Sequence, residues 1–171
     1  MGTEGVSIRP YGEGDMWILE RTLGDPRQTA YINGPESPEK IRDRHAQYVA
    51  LSADQRTGCM FTIMVGAAAA GNVGYWESDL DGQKVWEAGW FVLPEFQGRG
   101  IATEATKQLI NVVSRLRSHR FITAVPSVDN GPSNAIPRKL GFTLVREMVD
   151  EYPRGSGKLM HSNIWRFALP E

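Results

Sequence analysis

The sequence predicts an α/β fold: one mixed, mostly antiparallel sheet of six to seven strands flanked by about four helices. Three observations predict it. Apolar runs of strand length recur with turn residues between them, and three in the middle of the chain follow one another as hairpins. Helical periodicity marks four separate segments, clearest between Ala102 and Leu116. A strand–helix–strand unit then follows the hairpins, and its crossover implies a parallel pair inside an otherwise antiparallel sheet.

The elements read in order as follows. "VSIRPY" (Val6 to Tyr11) is a short strand closed by Pro10 and Gly12. "DMWILERTL" is helical, with Met16, Leu19 and Leu23 on one face and Gly24 ending it. "GDPRQTAYINGPES" is turn-rich, broken by Pro26, Gly34 and Pro35. "SPEKIRDRHAQYVAL" opens a second helix: Ser37 is the N-cap, Pro38 takes the first helical position, and Glu39 lies near the positive end. "CMFTIMV", "NVGYWES" and "KVWEAGWFV" are strands, separated by "GAAAAG" and "DLDGQ"; both separators suit hairpins, although "GAAAAG" alone also reads as helix. "ATEATKQLINVVSRLR" carries an apolar stripe of Ala102, Ala105, Leu109, Val112, Val113 and Leu116. "RFITAV" is a strand, "GPSNAIPRKLGF" a short helix stopping at Gly141, and "TLVREMV" and "NIWRFAL" the last two strands.

Composition narrows the class. With 171 residues, positions 1–171 are expected to form a single domain with a real core. A formal net charge of −1 gives no pull toward nucleic acid or an anionic membrane. No apolar run approaches membrane-spanning length, "MGTEGVSIRPYG" lacks a signal-peptide core, and Val6 breaks the myristoylation pattern after Gly2. Cys59 is the single cysteine, which rules out an intramolecular disulfide. His45, His119 and His161 stand apart without ligand spacing, so no metal is expected. A cytoplasmic monomer or homodimer is the expectation.

The chemistry centres on "LPEFQGRGIATEAT". In the first turn of a helix the backbone N–H groups have no partner, and the aligned peptide dipoles make that end positive. When glycines feed such a helix from a strand, several N–H groups can converge on one anion. Gln97, Gly98, Arg99, Gly100, Ile101 and Ala102 form this turn. A Walker loop is excluded because no Gly-Lys-Ser/Thr follows. A dinucleotide fingerprint fails at Thr103, and its turn normally lies in the first unit of a parallel sheet. Q-x-x-G-x-A, the pyrophosphate turn of coenzyme A-dependent acyltransferases, matches in full. A plain strand-to-helix turn stays open as well.

"WFVLPEFQGRGIATEA" followed by "VDNGPSNAIPRKLGF" resembles the GNAT superfamily of N-acetyltransferases, most nearly the branch of the ribosomal-protein N-terminal acetyltransferases and their small-molecule relatives. The overlap is strongest from Cys59 to Val149. The resemblance implies acetyl-coenzyme A as donor, its pyrophosphate on the N–H groups of Gln97 to Ala102 and its pantetheine arm paired with exposed backbone at Phe91 and Val92. It further implies that Asn130 bonds the pantetheine amides and that Ser133 approaches the sulfur. Arg99 is either a phosphate neighbour or a solvated surface arginine.

Acetyl transfer to an amine needs a base for the amine proton, a donor for the oxyanion and stabilisation of the departing thiolate. Glu87, in "VWEAGWFV" among Trp86, Trp90 and Phe91, is the expected base, because apolar neighbours raise a carboxylate's pKa. The bland alternative is an ion-paired strand residue. Glu77 and Asp79 are second-choice carboxylates that read rather as loop charges. A backbone N–H near Val92 is the expected oxyanion donor. Many relatives place a tyrosine seven residues after the motif asparagine; here that position is Pro137, which leaves Ser133 as the expected partner of the sulfur and Tyr152 as a fallback. Cys59 reads as a small core residue, and "RLRSHR" as a solvated helix end or a contact for the adenosine phosphate. The acceptor pocket is expected between the N-terminal helices and the strands bearing Trp76, Trp86 and Trp90, joined by Tyr31, Trp17 and Tyr75. So many aromatics suit an amine on an apolar or flat body. The expected activity is transfer of acetyl from acetyl-coenzyme A to a primary amine, of a small molecule or a peptide or protein N-terminus, by direct attack in a ternary complex. The alternative is a non-catalytic acyl-coenzyme A-binding or regulatory module, which Pro137 favours and Glu87 opposes.

Overall fold

A computed structural model describes residues 5–170; the readings at Met1 to Glu4 lie outside them. The element order is β1 (Val6–Pro10), α1 (Met16–Thr22), α2 (Pro38–Asp54), β2 (Gly58–Val65), β3 (Ala68–Leu80), β4 (Gln83–Val92), α3 (Ile101–Leu116), β5 (Phe121–Ala124), α4 (Gly131–Lys139), β6 (Thr143–Glu151) and β7 (Leu159–Ala168). Short 3-10 turns precede α1 (Glu13–Asp15) and follow β4 (Pro94–Phe96). This is the predicted order. The strands form one seven-stranded sheet, β1-β2-β3-β4-β5-β7-β6. Every neighbouring pair is antiparallel except β4 with β5, the parallel pair the crossover demanded.

Local chemistry explains the boundaries. Ser37 Oγ accepts the Lys40 N–H at 3.3 Å and so caps α2. Asp81 and Gly82, both at positive φ, turn β3 into β4 with the handedness that strand twist favours. The alanine tract differs from its helical reading. Only Gly66 and Ala67 make the β2–β3 turn, and Ala68 to Ala70 begin β3. Ala70 is fully buried in the same core as Ala105 and Leu109, so packing under α3 overrides alanine's helix propensity.

The sheet has two covered faces. Ala105, Leu109 and Val113 of α3 pack on Trp86, Ala88 and Val92; Leu116, at the end of the predicted stripe, stands out into solvent at the last residue of α3. On the opposite face Leu19, Leu23, Ile41 and Met60 form a second core that Trp76 and Phe91 join. Each such buried side chain contributes about 1.5–3 kcal/mol. Asp15, nearly inaccessible, fastens the start of α1 to the sheet: it accepts from Arg9 at 2.7 and 2.8 Å, from Gly12 N–H at 2.9 Å and from Thr62 Oγ at 2.9 Å. Burial pushes its carboxyl up, but Arg9 and the other donors outweigh that and hold it below the usual carboxylate range. Among the described residues, no helix is long and apolar enough to cross a membrane.

Candidate active site

Gly98 (φ +70°) and Gly100 (φ +75°) take the left-handed conformation that brings the chain from the β4 end into α3. A side chain at Gly98 would meet nothing within 4 Å, so backbone conformation and not space demands glycine there. Glu104 N–H bonds the Gly100 carbonyl, the first bond of the helix. Among the described residues, the N–H groups of Gly98, Arg99, Gly100, Ile101, Ala102 and Thr103 have no protein acceptor. Arg99 adds a positive charge beside them, its guanidinium 5.7 Å from the centre of the Phe96 ring. The turn is therefore an open, exposed cluster of donors. Gln97 turns elsewhere: its N–H goes to Pro94 and its side-chain amide to the Val92 carbonyl at 2.8 Å.

A gap in the sheet leads to this turn. β4 and β5 pair only over Trp86–Ala88 with Ile122–Ala124. Beyond that point the chain after β5 stays with β7, through Asn163 N–H to Pro126 C=O, a Ser127–Ser162 bridge and Val128 N–H to His161 C=O. Meanwhile β4 stays with β3 as far as Leu93 N–H to Ala70 C=O. Because ladder bonds alternate sides along a strand, the N–H groups of Trp90 and Val92 point into the gap. Phe91 does not share that edge, because its backbone faces Asn72 on β3.

α4 closes the far side of the gap. Asn130 Oδ1 caps it by accepting the Ser133 N–H at 3.1 Å. Ser133 Oγ accepts the Trp90 indole N–H at 3.2 Å across the gap. Asn134, which sequence reasoning passed over, is the buried hub. Its amide donates to the Ser127 and Asn130 carbonyls, both at 2.8 Å, and its oxygen accepts from Asn163 and Trp165, both at 2.9 Å. Pro137 lies inside α4 two residues before its end, buried, with no hydroxyl to offer.

Glu87 faces the other way. Its strand neighbours Trp86 and Ala88 belong to the α3 core, so Glu87 projects from the α1–α2 face, opposite Trp76 in register. A Cβ at Gly89 would come within 2.6 Å of the Trp76 ring, so glycine lets that indole lie flat beside Glu87. Burial pushes the Glu87 carboxyl above the usual range, against the pull of the Ser78 hydroxyl and the Arg154 charge. Tyr152, just past β6 and exposed on one side, is raised chiefly by desolvation, against the pull of the Arg44 charge, and also by the Glu36 and Glu87 charges; it stays a protonated donor near that carboxylate. Arg44 donates to both Glu36 carboxylate oxygens, from Nε at 2.9 Å and from Nη2, and lies 6.0 Å from the centre of the Tyr48 ring. A groove of about 260 Å³ lined by Glu36, Lys40, Asp43, Arg44, Gln47 and Pro153 opens there.

Several expected residues lie elsewhere. Trp86 and Tyr75 are core residues under α3, and Trp90 points to α4, so of the strand tryptophans only Trp76 lies on the side of the N-terminal helices. One-residue alternation along β4 makes this unavoidable: a strand cannot show Trp86, Glu87 and Trp90 on one face. Arg115 in the last turn of α3 and Arg117 just past it lie twelve and fourteen residues beyond the donor turn, about 18–21 Å along the helix, too far for a phosphate held on that turn to be their partner. Cys59 is buried, and His45 packs against Tyr11, whose hydroxyl it meets at 2.7 Å. Among the described residues there is no metal-binding group of three.

The comparisons match this architecture. The acetyltransferase (GNAT) domain profile matches residues 6–143. The chain belongs to the GNAT acetyltransferase family. Three solved structures share its fold. A Salmonella typhimurium acetyltransferase that modifies the N-terminal serine of a 50S ribosomal subunit protein is 20% identical, with TM-score 0.80 over 98% of this chain and 96% of that one. A Salmonella typhimurium protein solved with acetyl-CoA is also 20% identical, with TM-score 0.77 over 98% and 96%. The ribosomal-protein-S5-alanine acetyltransferase of Vibrio fischeri is 19% identical, with TM-score 0.76 over 98% and 95%. No curated protein sequence matches significantly. As a GNAT chain, the protein is an acetyltransferase.

Proposed function

We propose that the chain transfers an acetyl group from acetyl-CoA to a primary amine, of a small molecule or a peptide or protein N-terminus, by direct attack in a ternary complex. The observation that carries this reading is the position of β4, with an unpaired backbone edge along the gap and Glu87 on the adjoining face. The pyrophosphate would sit on the free N–H groups from Gly98 to Thr103, with Arg99 beside it. Pantetheine would run along the Trp90–Val92 edge, and the free amide nitrogen of Asn130 would reach its carbonyls. Phe91 would support that edge from the β3 ladder, and the Gln97 side chain from the Val92 carbonyl.

Glu87 takes the proton of the attacking amine, a task its raised pKa suits near neutrality. The Val92 N–H, directed into the gap, holds the oxyanion. Nitrogen bonds the carbonyl carbon, the C–S bond breaks, and the thiolate departs beside Ser133. That one of the similar proteins modifies the N-terminal serine of a ribosomal protein, and another is a ribosomal-protein-S5-alanine acetyltransferase, supports a chain-end amine as acceptor. Thiol release from acetyl-CoA against a panel of amines and peptides tests the reading. Amine-dependent release is the expected result. Donor binding without release across the panel would favour the non-catalytic module instead.

A further inference from the structure

We propose that Trp90 is a positioning residue: its indole N–H holds Ser133 Oγ so that the serine proton points at the departing sulfur. The inference rests on the acetyl-transfer reading above. An indole nitrogen can only donate, so at 3.2 Å the Ser133 oxygen must be the acceptor in this pair. Among the described residues the Ser133 O–H finds no protein acceptor of its own, so its proton is free for a ligand in the gap. The rest of Ser133 cannot turn to spoil the geometry. Its N–H is held by Asn130 Oδ1, and the next residue, Asn134, locks the helix start to Ser127, Asn163 and Trp165. Trp90 also lends its backbone to the gap edge, so one residue sets both the path of the donor and the angle of the hydroxyl.

The chemistry balances without a separate acid. The amine nitrogen forms its bond to the carbonyl carbon and loses its proton to Glu87. Sulfur leaves with the C–S electron pair, receives a hydrogen bond from Ser133 and takes its proton from solvent. Serine keeps its own proton, since a hydroxyl is a weaker acid than a thiol. An oxygen that already accepts a hydrogen bond is a stronger donor, so the Trp90 contact strengthens the bond to sulfur.

The test is a double-mutant cycle of Trp90→Phe and Ser133→Ala, read as kcat and donor KM with acetyl-CoA and with its selenoester analogue, whose selenolate leaves without help. Trp90→Phe is expected to lower kcat about fivefold with donor KM unchanged. It is expected to have no further effect on a Ser133→Ala background. Both defects should shrink with the selenoester. Benzothienylalanine at position 90 keeps the ring shape and lacks the N–H, and it should repeat the kcat loss if phenylalanine disturbs folding. Equal slowing of the Ser133→Ala enzyme by Trp90→Phe, a defect blind to the leaving group, or full activity of Ser133→Ala would each overturn the inference. Those outcomes arise in an enzyme that turns over; a wild-type chain with no amine-dependent thiol release would instead sink the functional reading beneath it.

Discussion

The two sides of β4 are built from different materials. On the proposed donor side the exposed groups are backbone N–H groups of six consecutive residues and one strand edge, placed by two left-handed glycines and the parting of two strands. On the proposed acceptor side they are side chains gathered from far apart: Glu87 on β4, Arg44 and Tyr48 on α2, Glu36 before it, and Tyr152 after β6. Backbone donors suit a ligand that never changes. Side chains can be exchanged without disturbing the fold, so they suit the partner that distinguishes one acetyltransferase from another.

The largest effect should fall where the two sides meet. Glu87→Gln is expected to cut kcat by about 10²–10⁴-fold at neutral pH while leaving donor binding intact. The pH profile should confirm the cause. The wild-type rate climbs as pH rises through the raised Glu87 pKa, and the variant should lack that limb. Stability runs the other way. A carboxyl that binds its proton more tightly when folded stabilises the fold below its unfolded pKa and loses that contribution as pH passes the folded one. Thermal melts should therefore show Glu87→Gln more stable than wild type above the folded pKa and equal to it in acid.

Next comes Asn134→Ala, which attacks the donor side from beneath. It would strand the Trp165 and Asn163 donors and take the side-chain donor from the Ser127 and Asn130 carbonyls, which keep their backbone N–H partners, at a cost of about 3 kcal/mol in urea unfolding. A cost near zero would mean that other groups hold α4 in place.

How far each side was legible follows from the same contrast. Gln97 to Ala102 and Asn130 to Ser133 are short, contiguous motifs, and the physics of a helix start is local, so the sequence alone put them where they stand, at the starts of α3 and α4. Glu87 was legible as a carboxylate within an apolar strand. Asn33, Arg44 and Tyr48 carried no motif, because the meeting of two loops brings Asn33 to the Tyr152 carbonyl, and the turn of α2 brings Arg44 to Glu36 and the Tyr48 ring. The tryptophans misled because they were grouped by type and not by alternation. Asn134 was hidden next to Ser133, with no signal that its amide was buried.

A smaller effect isolates the donor turn. Gly98→Ala keeps open space around its new methyl group but must hold φ near +70°, a cost of about 1–2 kcal/mol. On the proposed reading, the strained and enlarged turn would hold the pyrophosphate less well, so donor KM should rise about tenfold, equivalent to about 1.4 kcal/mol, with acceptor KM unchanged. A donor KM that does not move would place the phosphates elsewhere.

The smallest predicted effect tests the acceptor side alone. Asn33, itself at φ +68°, ties the α1–α2 segment to the β6–β7 loop: its amide donates to the Tyr152 carbonyl at 2.6 Å, and its carbonyl accepts Lys158 Nζ at 3.1 Å. Asn33→Gly preserves that backbone conformation and removes only the side-chain tie. Tyr152, near Glu87, would then be free to drift with its loop. Exposed hydrogen bonds are weak, so the expected change is a rise of about threefold in acceptor KM, with donor KM and melting temperature unmoved. A matching rise in donor KM would show that the two sides of β4 are coupled through the loops; an unchanged acceptor KM would show that the acceptor binds without this roof.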